Sequence, residues 1–170
     1  MRQIILSILN FLLFAGCSNH TKSLTTVDEV NLNRYLGTWY EIARFEHWFE
    51  KGCSNVTANY SLKDNGDIKV INKCMKEDNQ YKESIGTAYT TDKTNSKLKV
   101  SFFKPFYGDY WILDLDENYQ YALIGDPSRK YMWILARDSK IDNTTKNKVL
   151  NKASSLDFDI SKLHWTVQEY

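Results

Sequence analysis

The residues best able to do chemistry in this chain are few and scattered. Cysteines stand at Cys17, Cys53 and Cys74, and histidines at His20, His47 and His164. Thiolates and imidazoles hold zinc when they cluster at short, repeated spacings, and no such cluster occurs here. The Gly-x-Ser-x-Gly elbow of serine hydrolases, the His-Glu-x-x-His helix of zinc hydrolases and the phosphate-cradling Walker loop are also absent from the sequence. Glu41 could serve as an acid, but the sequence fixes no partner for it. No catalytic residue, metal or cofactor is therefore assigned. Lys and Arg number 22 against 21 Asp and Glu, and a formal charge of +1 leaves no basic field for a nucleic acid. What remains is thiol chemistry, and an odd count of three asks which cysteine stands apart.

The N-terminus answers that question. Met1 and Arg2 precede an apolar run from Ile4 to Phe14, broken only by Ser7 and Asn10. The run is shorter than the roughly 20 residues a spanning helix needs, so it reads as the apolar region of a secretory signal. Leu13-Phe14-Ala15-Gly16-Cys17 then resembles the bacterial lipobox, with Phe14 where that box usually carries Leu. The resemblance implies a signal peptide over residues 1–16 and a lipid anchor on Cys17. Ser18, which is not Asp, implies delivery to the outer membrane. Two or three acyl chains, at about 0.8 kcal/mol per buried methylene, hold a protein on a membrane stably. Residues 17–30, rich in Asn, Thr and Ser, are expected to form the lipidated tether, and residues 31–170 the folded domain.

Those 140 or so folded residues suit one core. Aromatics make up 14% of the chain, and short runs of alternating apolar residues recur between turn signals, as an antiparallel barrel requires. Strands are expected at 37 to 46, 54 to 63, 67 to 74, 83 to 91, 97 to 104, 109 to 115, 119 to 125 and 131 to 137. Asp64-Asn65-Gly66-Asp67 is the strongest hairpin signal, because Asn and Gly accept positive φ. The one amphipathic helical segment runs from Asn143 to Ser155, with Val149, Leu150, Ala153 and Leu156 on one side. The fold class is all-β: an eight-stranded antiparallel up-and-down barrel with one C-terminal helix packed outside.

Three sequence blocks make the assignment specific. Asn33-Arg34-Tyr35-Leu36-Gly37-Thr38-Trp39-Tyr40-Glu41 contains the Gly-x-Trp signature; Lys99 to Gly108 and Tyr131 to Arg137 resemble the middle and the last strand of bacterial outer-membrane lipocalins. The second family signature, Thr-Asp-Tyr, appears as Gly108-Asp109-Tyr110. The resemblance implies that Gly37, Trp39 and Arg137 are structural, with the arginine crossing the indole to close the barrel floor. It implies a ligand of fatty acid or lysophospholipid type, carried or scavenged by reversible burial in the cell envelope, and it leaves a homodimer open.

Carrying the inward parity from Trp39 gives Glu41, Ala43 and Phe45, then Val56, Ala58, Tyr60 and Leu62, then Ile68, Val70 and Asn72, then Ser84, Gly86 and Ala88. The later strands add Leu98, Val100, Phe102, Tyr110, Ile112, Ala122, Ile124, Tyr131 and Trp133. Glu41, Ala58, Tyr60, Val70, Asn72, Val100, Phe102, Tyr110, Ile112, Ile124, Tyr131 and Trp133 are the expected ligand contacts. Such walls suit an acyl chain, whose burial gains on the order of 10 kcal/mol before association costs; the same residues could instead fill a solid core. Phe45 to Lys51 and Lys104 to Tyr107 are expected at the mouth. Cys53 and Cys74 flank the Asp64 hairpin almost symmetrically, which brings them near each other; a disulfide and two free thiols both fit, and a secreted compartment favours the disulfide. A barrel esterase or isomerase and an adhesion or assembly lipoprotein are the competing functions.

Overall fold

The computed structural model describes residues 23–169, so the expected signal peptide and lipid anchor at Cys17 lie outside the described residues. A four-residue helix α1 (Leu32–Tyr35) leads into β1 (Gly37–Phe45), β2 (Ser54–Leu62), β3 (Ile68–Met75), β4 (Tyr81–Thr90), β5 (Lys97–Phe103), β6 (Phe106–Leu115), β7 (Tyr121–Gly125) and β8 (Met132–Ala136). Each strand pairs antiparallel with the next, and β1 pairs with both β2 and β8, which closes the barrel. Helix α2 (Asn143–Ser155), capped by the Asp142 carboxylate on the Thr145 amide, packs outside. A last strand, β9 (Leu163–Trp165), adds to β1. The expected strands and helix are all present, with ends displaced by three residues at most. At the Asp64 hairpin, Gly66 takes φ +86° and Asn65 bonds the Asp67 amide.

Two apolar layers fill the structure. Val30, Tyr35, Trp39, Ile68, Leu98 and Ile124, among others, pack inside the closed end of the barrel. Val149, Ala153, Leu156 and Phe158 cover the outer faces of β6, β7 and β8, where Leu113, Leu123 and Ile134 point. Gly125 makes room for this second layer, since a Cβ there would lie 2.6 Å from the Phe158 ring.

The alternation fails on β1, and the cause is local. Between Glu41 and Ala43 the β1–β8 register slips by one residue, so Ile42 has no partner opposite it. Parity inverts beyond the bulge. Ala43 and Phe45, expected inside, face the α2 layer, and Arg44 turns inward and is fully buried. Leu62, also expected inside, lies beyond the packed end of the barrel and is half exposed. The segment expected as a free tether is docked over its described part: Leu24 and Val30 are buried, and the Val27 and Val30 amides bond the Ile112 and Thr94 carbonyls.

The chain's end seals what the bulge opens. Beyond β9, the Thr166 amide donates to the Ile42 carbonyl and the Val167 carbonyl accepts from the Asn55 amide. Gln168 Nε2 donates to the carbonyls of Glu41 and Val56, 2.7 and 2.9 Å away, and so bridges β1 to β2.

Candidate functional site

The barrel is closed at one end and open at the other. At the closed end, the Arg137 guanidinium lies 3.9 Å from the centre of the Trp39 ring. It donates to the carbonyls of Thr38, Arg34, Tyr35 and Leu36, while Trp39 Nε1 donates to Tyr35 O. Gly37 has φ +93°, a conformation that favours glycine, and this places the chain beside Arg137. These three residues build the floor.

Above the floor lies a cavity of about 900 Å³. Its size falls within the range of small-molecule sites, and the barrel is therefore not a solid core. Ala58 and Tyr60 come from β2, Val70 and Asn72 from β3, and Val100 and Phe102 from β5. Tyr110 of β6, Glu41 of β1, and Tyr131 and Trp133 at β8 complete the expected lining. Ile112 and Ile124 do not reach the cavity: they face inward but are fully buried in the floor layer, below Tyr110. Gly86 and Ala88, expected to face inward, do not line the cavity either. Ala88 packs in the floor, and Gly86 lets β5 approach, since a Cβ there would lie 2.8 Å from Ser101 O.

Of the aromatic residues expected at the mouth, Trp48, Phe49, Phe106 and Tyr107 are there, joined by Phe103, while Phe45 is buried in the α2 layer. Trp48, Phe103 and Phe106 are 89%, 76% and 71% exposed, and all three border the opening. Cys53 and Cys74 form a disulfide on the same rim.

One wall of the cavity holds buried charge that the strand alternation does not reveal. Arg44 Nη1 donates to Glu41 Oε1 at 2.6 Å and to Thr166 Oγ1 at 3.1 Å, and Nη2 donates to the Glu50 carbonyl at 2.9 Å. The Glu50 carboxylate accepts from Trp133 Nε1 at 3.2 Å, which pins the loop between β1 and β2 across the mouth. Two carboxylates share one guanidinium. Burial, and then the negative charge of Glu41, push the Glu50 carboxyl up to about 7 against the opposing pull of Arg44. His47, whose ring centre lies 4.3 Å from that of Tyr131, is held below its ordinary value by burial and then by Arg44. Glu50 and Arg44 carried no sequence signal, because the bulge that aims Arg44 inward is invisible in a list of residue types. Leu135, which also lines the cavity, could have been found by extending the parity from Trp133.

Of the expected polar lining, Tyr60 and Tyr110 bond each other and Glu41 is paired with Arg44, while Asn72 Oδ1 is buried without a partner. Among the described residues no group of three His, Cys, Asp or Glu side chains could hold a metal ion.

Comparison with known proteins agrees with this geometry. The lipocalin-like domain family matches residues 30–168. The chain is 44% identical to the outer membrane lipoprotein Blc of Citrobacter freundii over 97% of this chain and 96% of the relative. It is 46% identical to that of Escherichia coli K12 over 92% and 90%, and 40% identical to temperature-induced lipocalin-1 of Arabidopsis thaliana over 86% and 84%. In fold it is similar to insecticyanin of Manduca sexta, with a TM-score of 0.68 at 21% identity over 84% and 83% of the two chains. A closed barrel whose floor is locked by Trp39 and Arg137, matched over nearly its whole length to such relatives, places the chain in the lipocalin family.

Proposed function

We infer that the protein is a membrane-anchored lipid carrier of the bacterial envelope, which takes up fatty acids or lysophospholipids by burying the acyl chain and releases them unchanged. The observation that carries this reading is the 900 Å³ cavity, walled by Ala58, Val70, Val100, Tyr110, Trp133 and Leu135 and open at one end. Apolar walls of this kind drive acyl burial through the hydrophobic effect. Glu50, Lys76 and Lys82 among the lining residues give a charged mouth that suits a polar head group staying near water. Relatives named as outer membrane lipoproteins over nearly the full chain support an outer-membrane address and a lipid on Cys17.

Titration of the delipidated protein with palmitic acid and with a lysophospholipid tests the carrier reading, and saturable binding of at least one is expected. Ala58→Trp, which fills the cavity from β2, should weaken it at least tenfold. Absence of binding by any apolar ligand would overturn the reading. Native mass spectrometry of the same sample counts chains per particle and thereby tests the homodimer. Cys17→Ala should move the protein out of the membrane fraction, and continued sedimentation with membranes would defeat the anchor.

A further inference from the structure

At the inner end of the cavity the hydroxyls of three phenols form one chain. Tyr110 Oη lies 2.7 Å from Tyr35 Oη and 2.9 Å from Tyr60 Oη. Tyr60 and Tyr110 line the cavity, whereas Tyr35 sits behind them against the Trp39 ring. Among the described residues these hydroxyls bond nothing else.

Proton counting then distinguishes them. Two hydrogen bonds use two protons, and three phenols carry three. If the spare donor sat on Tyr35 it would be trapped in the dry floor without an acceptor, which is the costly outcome for a buried polar group. Placed on Tyr60 or Tyr110, it is available to whatever fills the cavity. Lone pairs are also uncommitted, since six are present and two are used.

Charge decides what oxygen could sit there. Burial raises all three phenols, Tyr60 to about 12, so the group stays neutral at physiological pH. Glu41 and Glu50 add negative potential at Tyr60. The guanidinium of Arg137 is committed to the floor carbonyls behind Trp39, and that of Arg44 to Glu41, Thr166 and the Glu50 carbonyl. With no uncommitted cation at these hydroxyls, the inner end suits a neutral oxygen better than a carboxylate.

We propose that the Tyr35–Tyr110–Tyr60 chain is a second recognition point inside the cavity, selecting acyl chains that carry a hydroxyl or keto oxygen remote from the head group. The proposal rests on the carrier reading. The ligand oxygen accepts the spare phenol proton, and a ligand hydroxyl can donate in return to a free lone pair. The charged mouth keeps the head group at the other end, so the site favours one position of the oxygen along the chain.

Stearic acid and a series of hydroxystearic acids, with the hydroxyl stepped along the chain, test this by calorimetric titration of the delipidated protein. Most isomers should bind more weakly than stearate, because their hydroxyl meets apolar wall. One position, or two adjacent ones, should bind roughly fivefold more tightly, as one net hydrogen bond allows. In the double variant Tyr60→Phe and Tyr110→Phe, which removes both hydroxyls that line the cavity, the affinity ratio of that isomer to stearate should fall below one; if it does not fold, each single variant should lower the ratio. Stearate binding with no isomer preferred overturns the phenol site alone, as does a preference that survives in the folded variants. Failure of stearate and every isomer to bind overturns the carrier reading and this proposal together.

Discussion

Arg137, at the end of the last barrel strand, covers the indole of Trp39, at the start of the first, with 3.9 Å between guanidinium carbon and ring centre. The contact is more than a cation-π pair, because the same guanidinium satisfies four carbonyls between Arg34 and Thr38. Arg137→Ala is expected to lower the unfolding free energy by roughly 3 kcal/mol, from the lost ring contact and the carbonyls left without a donor. Arg137→Lys should lose less, since an ammonium keeps the charge over the ring but cannot span the fork of acceptors. Urea unfolding measures both, and wild-type midpoints for the two variants would remove Arg137 from the closure of the floor.

Glu50 makes stability depend on pH. Its carboxyl is raised from the ordinary 4.5 to about 7 in the folded protein, so the native state holds its proton more tightly than the unfolded chain does. The stabilisation from this group is complete below about pH 4.5 and is lost as pH rises through 7, up to about 3 kcal/mol in all. Glu50→Gln keeps an oxygen for Trp133 and cannot ionise. The wild type should therefore lose stability relative to this variant between pH 4.5 and 7.5, and parallel stability curves across that range would refute the assignment.

The rim disulfide restrains a loop whose ends are 21 residues apart. Closing a loop of that length in the unfolded chain contributes roughly 3 kcal/mol. Joint replacement Cys53→Ala and Cys74→Ala should lower the urea midpoint accordingly. Mass spectrometry after alkylation without reductant should show no added label on the wild-type pair.

Gln168 sits at the seam that the β1 bulge opens. Gln168→Ala removes the donors to the Glu41 and Val56 carbonyls, and a loss of about 2 kcal/mol is expected from two acceptors left dry. Hydrogen exchange should report it locally, as faster exchange at the Thr166 and Asn55 amides, which bond across the same seam. Unchanged protection there would show that the tail does not hold the seam.

Periodicity and turn chemistry made the strands and the helix legible, because alternation on β2, β3 and β5 follows one inside and one outside face. The legible part of the site runs from Ala58 on β2 to Trp133 on β8, where parity alone names the inward side chains. Three things were not legible. The bulge at Ile42 inverts the face of everything after it, so Arg44 rather than Ala43 enters the barrel. Depth along a strand is not encoded by parity, so Ile112 and Ile124 could not be separated from Tyr110. Short segments that dock through backbone bonds, such as Val27 to Val30 and Thr166 to Glu169, have polar compositions that resemble a linker.

Sheet closure has one further consequence. Copies of a β protein that meet often can zip together along an exposed strand edge. Here β1 to β8 consume one another's edges, and β9, three residues long, is all that ends the ladder. What such copies present to each other is therefore side chains, the exposed Trp48, Phe103 and Phe106 among them, and not the backbone that holds the barrel shut.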